Sequence, residues 1–227
     1  METTIRRSSG PIFNAPWVVV ATIAVLVAIH LALDLAGEDW QIWSLYAFSF
    51  VPSRFQGSIT GMIEGSQYWS LVTYAFLHAD WMHVGFNSLW LLIFGTPVAR
   101  VLGAVRYAVI FFVAAIGGAL VMLVVHWGQF VITVGASASV SGLLAAAIPI
   151  MYGDRWRGPL TIPELLHNRR ALIFMVLWLV VTLLPSVQNI PGFAEGPQIA
   201  WEAHLGGFVS GLLAYALILP KRPPLPA

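Results

Sequence analysis

The sequence predicts an all-α, polytopic membrane protein with six spanning helices, on the grounds of composition, segment pattern and charge placement. The 227 residues are 59% hydrophobic and only 9% charged, with a mean hydropathy of +0.82. About a quarter of the residues in a soluble domain are charged. A surface with so little charge must therefore face lipid. The basic residues form no stripe, which argues against nucleic-acid binding. The lack of cysteine excludes thiolate catalysis and Cys-ligated metals.

Six apolar segments are separated by polar breaks, and each is long enough to be a helix. In order they are Pro16–Leu35, Trp81–Pro97, Ala104–His126, Ser137–Met151, Arg170–Pro185 and Trp201–Pro220. The first is as long as a spanning helix and longer than a signal-peptide core, so we expect it to be retained. Residues 16–220 then form one six-span domain, flanked by tails of residues 1–15 and 221–227.

The fourth segment is too short to cross a bilayer. Its fifteen residues extend about 23 Å as a helix, against about 30 Å of hydrocarbon. One end must stop below the membrane surface, and the serines mark that end. Irregular backbone at that depth is tolerated only when buried in protein or lining a wet cavity. We therefore expect a water-filled cavity at the N-terminal end of this segment.

The basic residues give the topology. With six spans, both termini, the second–third loop and the fourth–fifth loop share one side of the membrane. That side carries ten of the eleven basic residues, and only Arg54 lies opposite. The positive-inside rule then places both termini in the cytoplasm. The first external loop, from Ala36 to Asp80, is long and rich in Trp, Tyr and Phe, as expected for a loop at the lipid–water boundary. Packing of this loop on the bundle is an equally good and compatible interpretation.

A polar, glycine-bounded run, Gly135 to Gly142, interrupts the apolar sequence and includes three serines. Ser137 begins the short fourth segment. A serine there is commonly a helix N-cap, but it can also be a nucleophile when a base lies within hydrogen-bond reach. The two roles are compatible, because a helix N-terminus offers free backbone N–H groups to a developing oxyanion.

His204 is the histidine that we expect to serve as this base. Gly207 and Gly211 in the sixth segment form a small-xxx-small face, and Ala138 and Gly142 offer the same spacing in the fourth. Docking of the two faces brings His204 towards the serine run, and imidazole titrates in the range that general-base catalysis needs. The alternative is a polar side chain satisfied near a helix end.

The entry to the second segment carries three polar side chains, with His78 just before the segment and His83 and Asn87 inside it. The last two are four residues apart and share one helical face. Strongly polar groups within spans mark functional sites by default, although interfacial histidines and a single interhelical Asn hydrogen bond would also explain them. The other three histidines, His30, His126 and His167, are assigned to structural roles at segment ends and in a cytoplasmic loop.

Three separated motifs together resemble those of the rhomboid intramembrane serine proteases. They are His78-x4-His83-x3-Asn87, Gly135-x-Ser137 and Ala203-His204-x-x-Gly207. The resemblance extends from about residue 16 to residue 220. It implies a Ser137–His204 catalytic dyad without a third acid, and an oxyanion hole formed by the Ser137 N–H with the His83 and Asn87 side chains. His78 would support the site near its mouth.

The chain departs from the family pattern at three positions. Ala138 replaces the usual glycine after the nucleophile, and Ser70 replaces the arginine of a Trp-Arg pair in the first loop. Ser141 stands where an aromatic ring usually stacks on the catalytic histidine. Ser141 shares a helical face with Ser137 and can support the site by hydrogen bonding, but it cannot restrain an imidazole. We therefore expect lowered or more condition-dependent activity.

The resemblance implies a serine endopeptidase of a bacterial cytoplasmic membrane. Its partners would be the lipid bilayer and protein substrates that it cleaves within a transmembrane segment, without metal or organic cofactor. One alternative is a zinc protease using His78, His83 and His204, although the chain has no His-Glu-x-x-His run. Another is a catalytically impaired rhomboid-like protein that binds membrane clients. A transporter is disfavoured, because no pair of symmetry-related broken segments is present.

Overall fold

The computed structural model describes residues 15–57, 63–154, 157–183 and 200–219, and these are mostly helical. Within them the only β-structure consists of two isolated bridges, Phe50 with Thr133 and Asp154 with Gly158. The α-helices are α1 (Trp17–Ala36), α2 (Glu38–Phe48), α3 (Ser66–Thr73), α4 (Trp81–Trp90), α5 (Thr96–Leu102), α6 (Ala104–Val125), α7 (Ser137–Met151), α8 (Ile162–His167), α9 (Arg169–Leu183) and α10 (Trp201–Ile218).

Three helical stretches in the described residues are long and apolar enough to cross a membrane. They are α1, the continuous stretch Trp81–Leu102, and α6, and they correspond to the first three predicted segments. The helix α7 has the predicted bounds and is fifteen residues long. The predicted ends of the last two segments, Pro185 and Pro220, lie outside the described residues. The count of six spans, with α7 as a short fourth, therefore stays a prediction.

The predicted end of the second segment at Pro97 is wrong, because the helix runs on to Leu102. A π-helical turn, Leu91–Gly95, joins α4 to α5, and Pro97 lies in the first turn of α5. Proline is tolerated in the first turn of a helix, where its missing N–H costs little. The π-helical turn before Pro97 changes the hydrogen-bond register, so the proline lies at the start of α5 and does not end the apolar helical stretch.

The first loop packs on the bundle and also exposes aromatic rings. Phe50 and Tyr74 are buried against small residues of α6, and the Tyr74 hydroxyl donates to the Ala115 carbonyl at 2.8 Å. Trp40 and Tyr68 remain 56% and 70% exposed. Packing on the bundle is thus confirmed for one face of the loop, and the exposed rings suit the predicted position at the lipid–water boundary.

Arg54 closes the C-terminal end of α2. Its buried guanidinium donates to the carbonyl oxygens of Ser49 at 2.7 Å, Tyr46 at 3.0 Å and Leu45 at 3.2 Å. The last carbonyls of a helix lack intrahelical partners, and a cation beside them is favourable. Burial lowers the pKa of Arg54 to about 10, so the side chain stays charged at neutral pH. The one basic residue predicted on the external side therefore has a structural role.

The centre of the bundle is α7, which packs between α6 and α10. Every residue from Ala138 to Pro149 is buried. A Cβ atom on Gly211 would overlap the backbone of Gly142, and one on Gly207 would overlap the Ala138 carbonyl. The predicted docking of the two small-residue faces is confirmed. Because the pairs 138–207 and 142–211 have the same offset, α7 and α10 run parallel, with their N-terminal ends together.

We expect Gly211→Ala to lower the free energy of unfolding by about 1–3 kcal/mol, because the added methyl forces α10 away from Gly142. The matched control is Gly85→Ala, since nothing lies within 4 Å of a Cβ at Gly85. That change should be neutral or stabilising by up to about 1 kcal/mol, through helix propensity. Unfolding of both variants in mixed detergent micelles measures the difference. Equal stabilities of the two variants would contradict close packing at Gly211.

Candidate active site

Ser137 is the first residue of α7, at the N-terminal end of the buried helix, and is itself partly exposed. The other two hydroxyls of the serine run are used within the fold. Ser139 donates to the Phe111 carbonyl at 2.9 Å, and Ser141 donates to the Ser137 carbonyl at 2.8 Å. Among the described residues the Ser137 hydroxyl makes no hydrogen bond. Of the three serines, it is the one whose hydroxyl is left for chemistry.

His204 lies in the first turn of α10, one turn before Gly207. Since α7 and α10 run parallel and Gly207 contacts the Ala138 carbonyl, Ser137 and His204 lie at the same end of the helix pair. No hydrogen bond joins their side chains in the part of the chain that the structure describes. Catalytic hydrogen bonds are often long without substrate, and the dyad stays a prediction.

His83 lies against the backbone that leads to Ser137. A Cβ on Gly135 would lie 2.6 Å from both Cε1 and Nε2 of its imidazole, and Gly135 has a φ of +118°. Only glycine suits both this close approach and this backbone conformation. The backbone N–H of His83 is capped by the Asp80 carboxylate at 2.7 Å, which fixes the start of α4. His83 also interacts electrostatically with His204, so the two imidazoles belong to one cluster.

His78 precedes α4 and contacts the same backbone. Its Nε2 accepts from the Ala136 N–H at 3.5 Å, and its ring meets that of His83 edge-on, with 5.0 Å between centroids. Burial, and then the neighbouring His83, lower the pKa of His78 to about 3. A neutral His78 suits its contact, because only an unprotonated Nε2 can accept a hydrogen bond.

Asn87 follows His83 by one turn of α4 and is 4% exposed. Its side-chain Nδ2 is buried and has no hydrogen-bond partner among the described residues. Buried polar groups are nearly always paired, and one that is not needs an explanation. This amide donor lies on the same face of α4 as His83 and is available to a bound group that carries negative charge.

A zinc site gains no support from the geometry. The described residues contain no group of three His, Asp or Glu side chains placed to hold a metal ion. His78, His83 and His204 therefore form a cluster without forming a ligand set.

Comparison with known proteins agrees with the geometry. The Rhomboid domain family model matches residues 65–221, which is more than half of the chain and includes the whole cluster. The chain belongs to the rhomboid family. It is also 26% identical over 216 residues to the Rhomboid protease GlpG of Serratia proteamaculans (strain 568), and 25% identical over 213 residues to that of Yersinia pestis (strain Pestoides F). Each alignment covers 92% of this chain, which spans 63% of the length of these curated relatives.

Membership of the rhomboid family and the apolar helices make the chain an integral membrane protein. Two features of this rhomboid were not predicted from its sequence. The chain before Ser137 is held by the first loop, since Gly135 N–H donates to the Tyr74 carbonyl at 2.9 Å. His126, assigned only a general structural role, contacts Glu202 in the first turn of α10 at 3.0 Å. Neither contact leaves a local pattern, because the partners are distant in sequence.

The lowered pKa of His78 predicts that the rhomboid loses stability in acid. Between the unfolded value of 6.5 and the folded value of about 3, the unfolded chain binds a proton that the folded chain does not. The contribution of His78 to the free energy of unfolding is therefore fully present above about pH 6.5, and it decreases as the pH falls towards 3. Between pH 7 and pH 5 the free energy of unfolding should decrease by about 1–2 kcal/mol.

His78→Gln keeps a hydrogen-bond acceptor but cannot titrate. We expect this variant to lose less stability than wild type between pH 7 and pH 5, by about the same 1–2 kcal/mol. Unfolding in mixed micelles at both pH values measures the difference. The same loss in both proteins would show that another group is responsible.

Proposed function

We propose that this rhomboid is an intramembrane serine endopeptidase that cleaves transmembrane segments of other membrane proteins. Ser137 would be the nucleophile and His204 its general base. The observation that carries the proposal is the parallel, close contact of α7 with α10, which puts both residues at the same end of one helix pair. The family and the names of the relatives, Rhomboid protease GlpG, support the same chemistry.

In the proposed reaction, the Ser137 Oγ attacks the scissile carbonyl while His204 takes its proton. His204 then gives that proton to the leaving amine, which splits the peptide bond and leaves an acyl-enzyme on Ser137. Water entering from the external side attacks the ester, with His204 again as base. Ser137 is regenerated and the new carboxyl group leaves.

The oxyanion formed in each step needs donors placed in advance. The Ser137 N–H lies in the first turn of α7, where backbone N–H groups have no intrahelical acceptor. His83, against Gly135, and the unpaired amide of Asn87 are the proposed side-chain donors. Loss of one such donor typically lowers the rate about 10²–10³-fold. His78 would hold this arrangement by accepting from the Ala136 N–H.

The proposed setting is the cytoplasmic membrane of a bacterium, with residues 16–220 as the protease domain and both short tails in the cytoplasm. The substrate would be cut near the outer end of its transmembrane segment, where water can reach. Access would require the fifth predicted segment, which corresponds to α9, to move away from the second. The ring of Phe174 in α9 touches Phe94 at a centroid distance of 6.4 Å, and Trp178 stacks on Phe208 of α10 at 4.6 Å. No cofactor is part of the proposal.

The alternative is a catalytically impaired rhomboid that binds membrane clients. Ser141 favours it, because a hydroxyl bonded to the Ser137 carbonyl cannot stack on His204 as a ring would. The four polar residues of the proposed chemistry, Ser137, His204, His83 and Asn87, favour the protease. The two functions differ in whether the Ser137 hydroxyl reacts.

We expect the wild type to cleave a generic transmembrane-segment substrate in vesicles, and Ser137→Ala and His204→Ala to lose cleavage by at least about 10³-fold, because the nucleophile and its base act together. A fluorophosphonate should likewise label the wild type, and labelling should be lost in Ser137→Ala and His204→Ala. The control is Ser139→Ala, which removes only the hydroxyl bonded to Phe111. Undiminished cleavage by Ser137→Ala would refute the Ser137 nucleophile and with it the proposed serine mechanism. A folded wild type that neither cleaves nor labels would favour client binding.

Ser141→Tyr should raise the cleavage rate by a few-fold, because a ring at this position can restrain the His204 imidazole while the lost hydrogen bond to the Ser137 carbonyl is only intrahelical. The measurement is kcat for the same substrate. Ser141→Ala is the matched control, since it removes the hydroxyl without supplying a ring and should not gain activity. An unchanged or lower rate in Ser141→Tyr would contradict the idea that the missing ring at position 141 lowers activity.

A further inference from the structure

A side-chain hydrogen bond joins the C-terminal end of α6 to the first turn of α10. The Nε2 of His126, the C-cap residue that follows α6, lies 3.0 Å from Oε1 of Glu202. Its Nδ1 lies 3.1 Å from Oε1 of Gln129. Side-chain oxygens of Gln129 and Glu202 thus lie at hydrogen-bond distance from the two ring nitrogens, and these two contacts fix the orientation of the imidazole.

The carboxylate of Glu202 needs this partner. The residue is only 8% exposed, and a buried charge is tolerated when it is paired and hydrogen-bonded. A first-turn carboxylate is also favoured by the helix dipole, but that effect alone does not require burial. The contact with His126 spans 76 residues of chain, so it serves tertiary structure.

Glu202 and His204 are two residues apart and lie on roughly opposite sides of α10. Glu202 contacts α6, whereas His204 interacts with His83 of the candidate site. Further along α10, a Cβ on Gly206 would lie 2.5 Å from the Gly117 carbonyl, so the second turn is held by backbone packing. The first turn has the His126–Glu202 pair as its polar tie to α6. His204 lies between these two attachments.

We propose that Glu202 is a positioning residue for His204, acting through its hydrogen bond with His126. This inference rests on the proposed function, because it assigns His204 a position that matters for proton transfer. The pair fixes the first turn of α10 relative to α6, and α6 packs directly on α7, which carries Ser137. An error of about 1 Å in the placement of a catalytic group can cost about 10²-fold in rate.

The network extends to the first loop. The Gln129 carbonyl accepts from the Ser53 N–H at 3.1 Å, and the Gln129 N–H donates to the His126 carbonyl at 2.9 Å. Within the part of the chain that the structure describes, the side-chain hydrogen bonds of the pair are those between His126, Glu202 and Gln129. Gln129 and Ser53 contribute neutral contacts.

The test compares wild type with Glu202→Ala, Glu202→Gln, His126→Ala and the double alanine variant. We expect Glu202→Ala and His126→Ala each to lower kcat about 10- to 100-fold with little change in KM, because the base is misplaced while substrate binding is not. Glu202→Gln should keep most of the rate, since its amide oxygen still accepts from His126 Nε2–H. The double variant should be no worse than either single one.

Hydrogen–deuterium exchange in detergent supplies a readout that does not need activity. Peptides covering residues 200–206 should exchange faster in Glu202→Ala, while those of α6 and α7 remain as in wild type. The control is Ser210→Ala, whose hydroxyl donates to the Gly206 carbonyl inside the same helix at 2.7 Å. It should alter neither kcat nor exchange of the first turn.

Three results would overturn the inference: a Glu202→Gln rate as low as that of Glu202→Ala, additive losses in the double variant, or exchange that rises equally throughout the bundle. If the wild type itself does not cleave and Ser137→Ala matches it, the proposed function fails instead. In that case the exchange of residues 200–206 alone decides whether the pair anchors α10.

Discussion

The close approach of α7 and α10 is the constraint on which the rest of the structure depends. At Gly142, Gly207 and Gly211 the two backbones meet with no room for a side chain. Inside a bilayer, lipid tails are as apolar as leucine, so association relies on van der Waals packing of small residues. This contact fixes the relative height of two helix N-termini. The polar residues gathered at that end follow from it.

Near the N-terminal ends of α7 and α10, backbone hydrogen bonds rather than helix packing hold the chain in place. The chain that follows α6 forms an antiparallel bridge between Phe50 and Thr133, and the Tyr74 carbonyl then receives the Gly135 N–H. The His83 ring covers Gly135. Each partner comes from the long first loop or the start of α4. The N-terminal end of α7 is therefore surrounded by residues from the first half of the chain, although α7 and α10 themselves belong to the second half.

The parts of the fold that depend on local pattern could be predicted from the sequence. Composition and apolar length gave the first three segments, and the small-residue spacing gave the docking of α7 with α10. The end of the second segment could not be predicted, because Pro97 is a stop signal only if no π turn precedes it. The capping role of Arg54 and the pairing of His126 with Glu202 could not be predicted either, because these partners come together only in the folded chain. In the site, residue types and spacing predicted which residues gather there, but not the hydrogen bonds that Ser139 and Ser141 make within the fold.

The bridge between Phe50 and Thr133 has a consequence for experiments that alter the first loop. Because a main-chain pairing links this loop to the segment that leads into α7, the loop is not a detachable cover over the helices. Shortening the loop or cutting it with a protease would also break the backbone hydrogen bonds that hold residues 129–135 in place. Effects of such changes would then reach the start of α7 without any contact between the altered residues and Ser137.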